Sequence, residues 1–425
     1  MLRKDPLTTK LLAERRSSQI QLHWRRTLVH FIFIQRFMQA FILIAILLTV
    51  LYVSLIIYYK FAFTAVPQFQ TTNFKSPVTS VSIIIPARNE EHNIESCLQS
   101  ILKNNFPRAL LEIIVVDDHS TDRTAAVVKK YVSQNVKLIS LSDHISTKIN
   151  SYKKKAIEIA VAQATGKLII TTDADCIVSP KWLQIIAAFY EEKKPAFIAA
   201  PVAIDCGWSF IQIFQSLDFM TLQGITAAVV NKKQMTMCNG ANMAYERAAF
   251  YEVGGFAGID NIASGDDMLL MHKIYERYPE RVMFLKATDA IVKTAAVNTI
   301  KEFFNQRIRW ASKADKYDDE RILPVLALVY FFNVIMLVLP IIGLFYNHQY
   351  SMFKVQGSML GVWFYMLAFK IVAELFFLFP VSSFFGKKDM LWLFPLLQPF
   401  HICYTIVAGW LGKFGKYSWK ERNVK

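Results

Sequence analysis

The chain reads as an α/β domain built on a parallel sheet and flanked by transmembrane α-helices. Three observations lead there. Apolar stretches long enough to cross a bilayer sit near both ends. Between them, short continuous apolar runs alternate with helix-like segments, the pattern of a parallel sheet covered on both faces. One such run, Lys167-Leu-Ile-Ile-Thr-Thr-Asp-Ala-Asp-Cys176, ends in two carboxylates two residues apart.

The membrane segments come first in chain order. Of 425 residues, 54% are hydrophobic and 19% charged, too apolar a balance for a domain that meets water on all sides. Met38–Tyr59 is almost uninterrupted apolar sequence, and Pro324–Phe345, Val355–Pro380 and Leu391–Gly412 follow near the other end. The expected division is a basic segment 1–36, a transmembrane region 37–66, a soluble domain 67–320, a second transmembrane region 321–412 of about three segments, and a basic tail 413–425. More than 35 residues precede the first span, so it does not resemble a cleaved secretory signal. Residues 1–36 hold eight Lys or Arg against two acids, and the tail adds Lys413, Lys416, Lys420, Arg422 and Lys425 against Glu421. The positive-inside tendency assigns both tails to the cytoplasm. One span before a cytoplasmic domain and three after it do not allow that. Two ways out stay open: a tight hairpin over His30–Phe63, or a re-entrant last segment broken by Pro395, Gln398, Pro399 and His401. Lys370 and Glu374, one helical turn apart within a span, can neutralise one another.

The net charge of +15 raises nucleic acid as a partner. Much of the excess lies beside membrane segments, where it meets anionic headgroups, and no nucleic-acid-binding motif is present. The five cysteines, at 97, 176, 206, 238 and 403, show no paired spacing that would indicate a zinc site or a disulfide framework.

Within the soluble domain, Val81-Ser-Ile-Ile-Ile-Pro86 is a short buried strand, followed by Ala87-Arg-Asn-Glu-Glu91 and a helix to Lys103. Leu111–Val116 is a second strand, ended by Asp117-Asp118-His-Ser-Thr-Asp122, which supplies an N-cap for the next helix. Val136–Ser140 is a third strand, and Tyr152–Thr165 a helix closed by Gly166. Leu168–Thr172 is the fourth, delivering Asp173 and Asp175. Residues i and i+2 of an extended chain point the same way, and ligands bind at the carboxyl ends of parallel strands. Two carboxylates there can share a hard divalent cation, Mg2+ or Mn2+, that completes its shell with water and substrate phosphates. The plainer reading is a solvated turn, and Asp117 and Asp118 could likewise only cap one. Lys153-Lys-Lys155, at the head of a helix, is either a solvated start or a phosphate partner.

Further on, Ser264-Gly-Asp-Asp-Met-Leu-Leu-Met271 opens a helix with adjacent acids, Asp266 and Asp267, which would also serve as caps. Gln306-Arg-Ile-Arg-Trp310 places Gln306, Arg309 and Trp310 at i, i+3 and i+4, one helix face. The Arg fork can grip phosphate and the indole can stack on a sugar. The competing reading is an interfacial anchor. Arg307 is expected on an indifferent face.

Ile-Ile-Pro-Ala-Arg-Asn-Glu, Val-Val-Asp-Asp-His-Ser-Thr-Asp, Lys-Lys-Ala and Thr-Asp-Ala-Asp, in this order, resemble a family 2 glycosyltransferase over about residues 80–312. The flanking spans are similar to the branch of cellulose, hyaluronan and poly-N-acetylglucosamine synthases. The resemblance implies the GT-A fold (Rossmann-like, a nucleotide-diphospho-sugar transferase), an inverting reaction, and a catalytic domain on the cytoplasmic side of the cell membrane. It implies that Pro86, Glu90, Asp117 and Asp118 hold the nucleotide, with Lys155 near the diphosphate. Asp173 would contact the nucleotide and share the cation with Asp175, the principal metal ligand. Asp267, with Asp266 where the family has Glu, would be the general base, and Gln306, Arg309 and Trp310 would serve the acceptor and diphosphate. Met237-Cys-Asn-Gly-Ala-Asn242 and Gly254-Gly-Phe256 resemble loops of the acceptor pocket. The implied partners are a UDP-sugar donor, a saccharide or lipid-linked acceptor and membrane lipids. Alternatives are a transferase adding one sugar to a polyprenyl-phosphate or other lipid, and, further off, an inactive scaffold of a polysaccharide-export complex or a transporter.

Overall fold

The computed structural model describes residues 6–70, 76–145, 149–262, 265–312, 319–350, 358–414, 417–419 and 422–424. Ser264, Val355, Lys416, Lys420, Glu421 and Lys425 lie outside the described residues.

Helix α1 (Pro6–Thr64) comes first, then β1 (Val81–Ala87), α2 (Ile94–Leu102), β2 (Leu111–Asp117), α3 (Thr124–Lys129), β3 (Val136–Ser140), α4 (Tyr152–Gln163) and β4 (Leu168–Thr171). The chain continues through β5 (Cys176–Ile177), α5 (Trp182–Lys193), β6 (Phe197–Ala199), β7 (Val202–Asp205), α6 (Phe210–Asn231), β8 (Met243–Glu246) and α7 (Arg247–Glu252). It closes with α8 (Met268–Arg277), β9 (Val282–Phe284), β10 (Val292–Ala295), α9 (Ile300–Ala311), α10 (Ile322–Tyr350), α11 (Ser358–Phe385) and α12 (Phe394–Phe414).

A seven-stranded sheet in the order β3-β2-β1-β4-β8-β6-β9 forms the centre of the domain. The first four strands are parallel, as their unbroken apolar runs demand, and Ile83, Ile84, Ile85, Ile114, Val115, Ile169 and Ile170 are buried. The sheet is not parallel throughout: β8 runs antiparallel to both β4 and β6. A small second sheet, β5-β10-β7, stands beside it. The carboxyl ends of β1, β2 and β4 therefore lie side by side. Gly166 is not a helix cap, since α4 ends at Gln163. It lets the chain pass β1, because a Cβ there would come within 2.4 Å of the Ser82 nitrogen.

Among the described residues, five helices are long and apolar enough to cross a membrane: Arg36–Thr64, Phe210–Asn231, Ile322–Phe345, Met359–Phe385 and Lys388–Phe414. The hairpin over His30–Phe63 does not form. Helix α1 is unbroken for 59 residues, about 88 Å at 1.5 Å per residue. Nor was α6 expected among the apolar helices. It is largely buried, packed between β7, β9, α1 and α11. Helix α12 continues through Pro399, and both of its ends return to the domain. Just before it, Lys387 donates to Ser216 of α6; near its end, Gly412 packs on Ala311 and Ser312 beside α9.

The apolar helices are joined by polar contacts. Lys370 donates to both oxygens of Glu374 and to Gln398, whose amide also reaches Glu374, and Tyr52 of α1 donates to the same carboxylate. The expected Lys370–Glu374 pair is thus the middle of a network over three helices, with every charged group partnered as burial requires.

Candidate active site

Two loops at the ends of β1 and β2 brace one another. Asn89 and His119 both adopt the left-handed backbone, φ 52° and 54°, which costs a non-glycine residue energy unless its surroundings hold it there. Here they do. Asn89 N–H donates to Ser120 Oγ, Thr121 N–H to Asn89 Oδ1, Glu90 N–H to Thr124 Oγ1 and Glu91 N–H to Asp122 Oδ2. Hydrogen bonds from Arg123, backbone first and side chain second, hold Glu91 below the usual carboxylate range. Glu90 accepts from Asn93, and Pro86 is the half-buried penultimate residue of β1. Asp118 is buried, with His119 Nδ1 3.0 Å from its Oδ1. Asp117 Oδ1 is buried without a hydrogen-bond partner among the described residues. A buried orphan acceptor at a strand tip is costly and suits a ligand donor such as a base or ribose group.

The third cluster lies beyond β4. Lys153, in the first turn of α4, sets its ammonium 2.8 Å from Asp173 Oδ1 and 3.1 Å from Asp266 Oδ2. Burial works against its charge, but Asp173 and then Asp266 outweigh that and keep its pKa above the ordinary lysine value. Three consecutive lysines on a helix face three ways. Lys154 is buried and caps the carbonyls of Ile259 and Ile262. Lys155 forms an i,i+3 pair with Glu158. The residue placed among the acids is Lys153, two positions before the lysine singled out in the sequence. Tyr152 rests edge-on against His119, 5.5 Å between centroids, and so joins this helix start to the β2 loop.

Asp175 accepts from Thr294 of β10 through Oδ2, at 3.1 Å. Among the described residues no group of three or more His, Cys, Asp or Glu gathers at one point. Asp173 and Asp175 offer oxygen donors, the kind that hard divalent cations take, and one Asp173 oxygen is paired with Lys153.

Asp267 is the N-cap of α8, accepting from Met268 N–H through Oδ1, and it also takes the Gly240 N–H through Oδ2. Two backbone donors leave lone pairs on a carboxylate unused, so capping does not exhaust this side chain as an acceptor. Asp266 is buried and turned to Lys153. Gly240 stands between them: a Cβ there would lie 3.2 Å from Asp266 Oδ2 and 3.3 Å from Lys153 Nζ. Asn242 is committed elsewhere, donating to Pro201 and Ala290 carbonyls and accepting from Trp182. Gly254 and Gly255 have positive φ, and Phe256 is buried in the core.

Helix α9 follows β10 after a short turn and begins with a complete capping box, Thr299 with Glu302. Gln306, Arg309 and Trp310 are half-buried. Arg307 is not on an indifferent face. It is 4% exposed, with its guanidinium 2.7 Å from Asp218. Thr294 and Asp218 escaped the sequence reading, and Lys153 and Gly240 entered it only as members of the Lys153–Lys155 and Met237–Asn242 motifs. Only Asp218, a lone carboxylate in the apolar run Phe210–Asn231, left a visible signal there.

A family model described as Glycosyl transferase family 2 matches residues 82–254. A probable glycosyltransferase, YdaM of Bacillus subtilis (strain 168), is 26% identical over 234 residues, 54% of each chain. An N-acetylglucosaminyltransferase of Rhizobium meliloti (strain 1021) is 25% identical over 247 residues, 55% of each. The chain spans about half the length of these curated relatives. Among solved structures, the mannosyltransferase PcManGT from Pyrobaculum calidifontis, in complex with GDP-Man and Mn2+, matches with a TM-score of 0.54 and 18% identity, over 88% of this chain and 98% of that one. The matched segment contains the β1, β2 and β4 strand-end loops and Lys153. Residues 82–254 thus carry the match to glycosyl transferase family 2, in a domain of the GT-A fold.

Proposed function

We propose that the chain is a membrane-held, inverting glycosyltransferase moving a sugar from a nucleotide-sugar donor, a UDP-sugar, to a saccharide or lipid-linked acceptor. The observation that carries this is the convergence of Asp117–Asp118, Asp173–Asp175, Lys153 and Asp266–Asp267 at one edge of a GT-A sheet. In this reading Pro86, Glu90, Asp117 and Asp118 receive the nucleoside, and Asp173 and Asp175 hold Mg2+ or Mn2+. That cation would supply charge neutralisation to the diphosphate as it leaves. Lys153 takes the phosphate role first expected of Lys155, and Arg309 adds a planar fork. Asp267, with Asp266 as the alternative, accepts the proton of the acceptor hydroxyl. The freed oxygen attacks the anomeric carbon as the bond to the diphosphate oxygen breaks on the opposite face. Gln306 and Trp310 orient the acceptor. The domain spans 67–320 and faces the cytoplasm, where nucleotide sugars are made, with 37–66 and 321–412 in the cell membrane.

Addition of one sugar to a lipid acceptor is favoured over polymerisation by a specific observation. Among the described residues, α6 is largely buried and both ends of α12 lie at the domain, which leaves α1, α10 and α11 to cross, few for a polymer channel. The test incubates membranes holding the chain with a panel of radiolabelled nucleotide sugars and sizes the product. One donor should label a lipid-extractable product in a cation-dependent way. Labelling by no donor refutes the function, and a long polymer refutes the single addition.

A further inference from the structure

Arg307 lies within the Gln306–Trp310 segment but belongs to none of the roles assigned there, and it is the most buried charged group of α9. Its guanidinium touches four things at once. Nη2 is 2.7 Å from Asp218 Oδ2 on α6. The guanidinium carbon stands 4.2 Å from the centroid of the Trp310 ring and 4.9 Å from that of Phe303. Nη1 donates to Gln306 Oε1 at 3.4 Å. Asp218 in turn accepts from Tyr404 of α12 through its other oxygen, and its chain neighbour Phe219 lies against Trp310, 5.8 Å between centroids. A charge pair removed from water is kept only where geometry repays its desolvation. Here that geometry ends on the two side chains to which the proposed function gives the acceptor.

We infer that Asp218, Arg307 and Tyr404 form a positioning device for the acceptor side of the site, resting on the function proposed above. Arg307 is a positioning residue: it fixes the Trp310 indole by stacking and Gln306 by hydrogen bonding. Asp218 and Tyr404 hold Arg307, so a membrane-side helix sets the orientation of groups inside the site. Lysine does not substitute, because an ammonium is a point charge that cannot lie flat on an indole while bridging a carboxylate and an amide.

The test is a double-mutant cycle in the full-length, membrane-inserted protein. Arg307→Lys should lower kcat for transfer at least tenfold while the Kd for UDP, measured without acceptor, stays within about threefold. Added to Trp310→Ala, it should cost less than threefold more, because its effect runs through that ring. Tyr404→Phe removes one hydroxyl, is the variant safest for folding, and should lower kcat several-fold with UDP affinity again unchanged. Wild-type kcat in both Arg307→Lys and Tyr404→Phe overturns the inference, as do losses that multiply in full with Trp310→Ala. UDP affinity and kcat falling in parallel also overturn it, since that is the mark of general structural damage. A wild-type protein that binds UDP but transfers no sugar overturns instead the function on which the inference rests.

Discussion

Replacing Lys153 with Met keeps the length of the side chain and removes its charge from between two carboxylates. The ammonium stands 2.8 Å from Asp173 and 3.1 Å from Asp266, so the two acidic oxygens are at most the sum of these, 5.9 Å, apart. At an effective dielectric constant near 20, two unit charges at that distance repel by about 3 kcal/mol. The Asp173 side chain is 38% exposed, and solvent screening reduces this to about 1.5 kcal/mol. The variant should therefore melt about 3–6 °C lower at pH 7, at roughly 2–4 °C per kcal/mol for a domain of this size. The sign of the pH dependence follows. Lys153 has a raised pKa, so its own contribution is intact below the ordinary value of 10.5 and is lost only above it. The repulsion uncovered in the variant is between two carboxylates, so it fades in acid once either one takes up a proton. Thermal melts of both proteins from pH 4.5 to 8 should show a gap that closes at the acid end. Donor titrations should show KM raised about tenfold or more. A variant as stable as wild type at pH 7, or a gap that ignores pH, would refute the placement of Lys153 as the neutralising cation.

Four further outcomes are expected. Asp175→Asn should abolish cation-dependent turnover while the fold persists, since Thr294 can still donate to the amide oxygen; activity near wild type, or surviving thorough chelation, removes the metal role. Asp267→Asn should lower kcat by about 10²-fold or more and stability by only about 1 kcal/mol, because the amide oxygen keeps the Met268 cap while the amide nitrogen cannot accept from Gly240 N–H; a large loss in Asp266→Asn with little here would exchange the two roles. Arg309→Lys and Trp310→Ala should each lose most transfer activity in a protein that still inserts, measured on membrane fractions; full activity in both leaves α9 as an anchor only. Gly240→Ala should cost about 1 kcal/mol, since the new methyl meets the Asp266 and Lys153 side-chain tips at 3.2 and 3.3 Å and Asp267 Cβ at 3.6 Å, yet slow transfer about tenfold, and unchanged kinetics would place Gly240 outside the reacting centre.

The parallel half of the sheet was legible because each of its strands is a continuous apolar run bounded by polar residues, as burial on both faces requires. Strand β8 was not: Met243–Glu246 is short, and its antiparallel direction depends on where α6 returns the chain. The acids were legible by their position at strand ends. The lysine that meets them was not, because three adjacent lysines are equivalent in composition and differ only in helical phase. Arg307 was misjudged for a related reason. A helix face is indifferent only if nothing packs on it, and Asp218, 89 positions earlier, packs on this one. The hairpin at the N-terminus was an inference from charge counting, and no turn residue interrupts the helix there.

Two lysines fasten the domain to the apolar helices. Lys286, buried and with its pKa lowered by that burial, donates to the last carbonyls around the end of α1, those of Phe63 and Val66. Lys387, just past α11, donates to Ser216 and Ile204. A catalytic unit hung from a loose tether samples a range of heights above a bilayer; one bolted at two points keeps a single altitude. If the acceptor is rooted in that bilayer, as proposed above, its own headgroup would have to span the gap, and acceptors would be sorted by reach, as by a ruler, before any contact reads their chemistry.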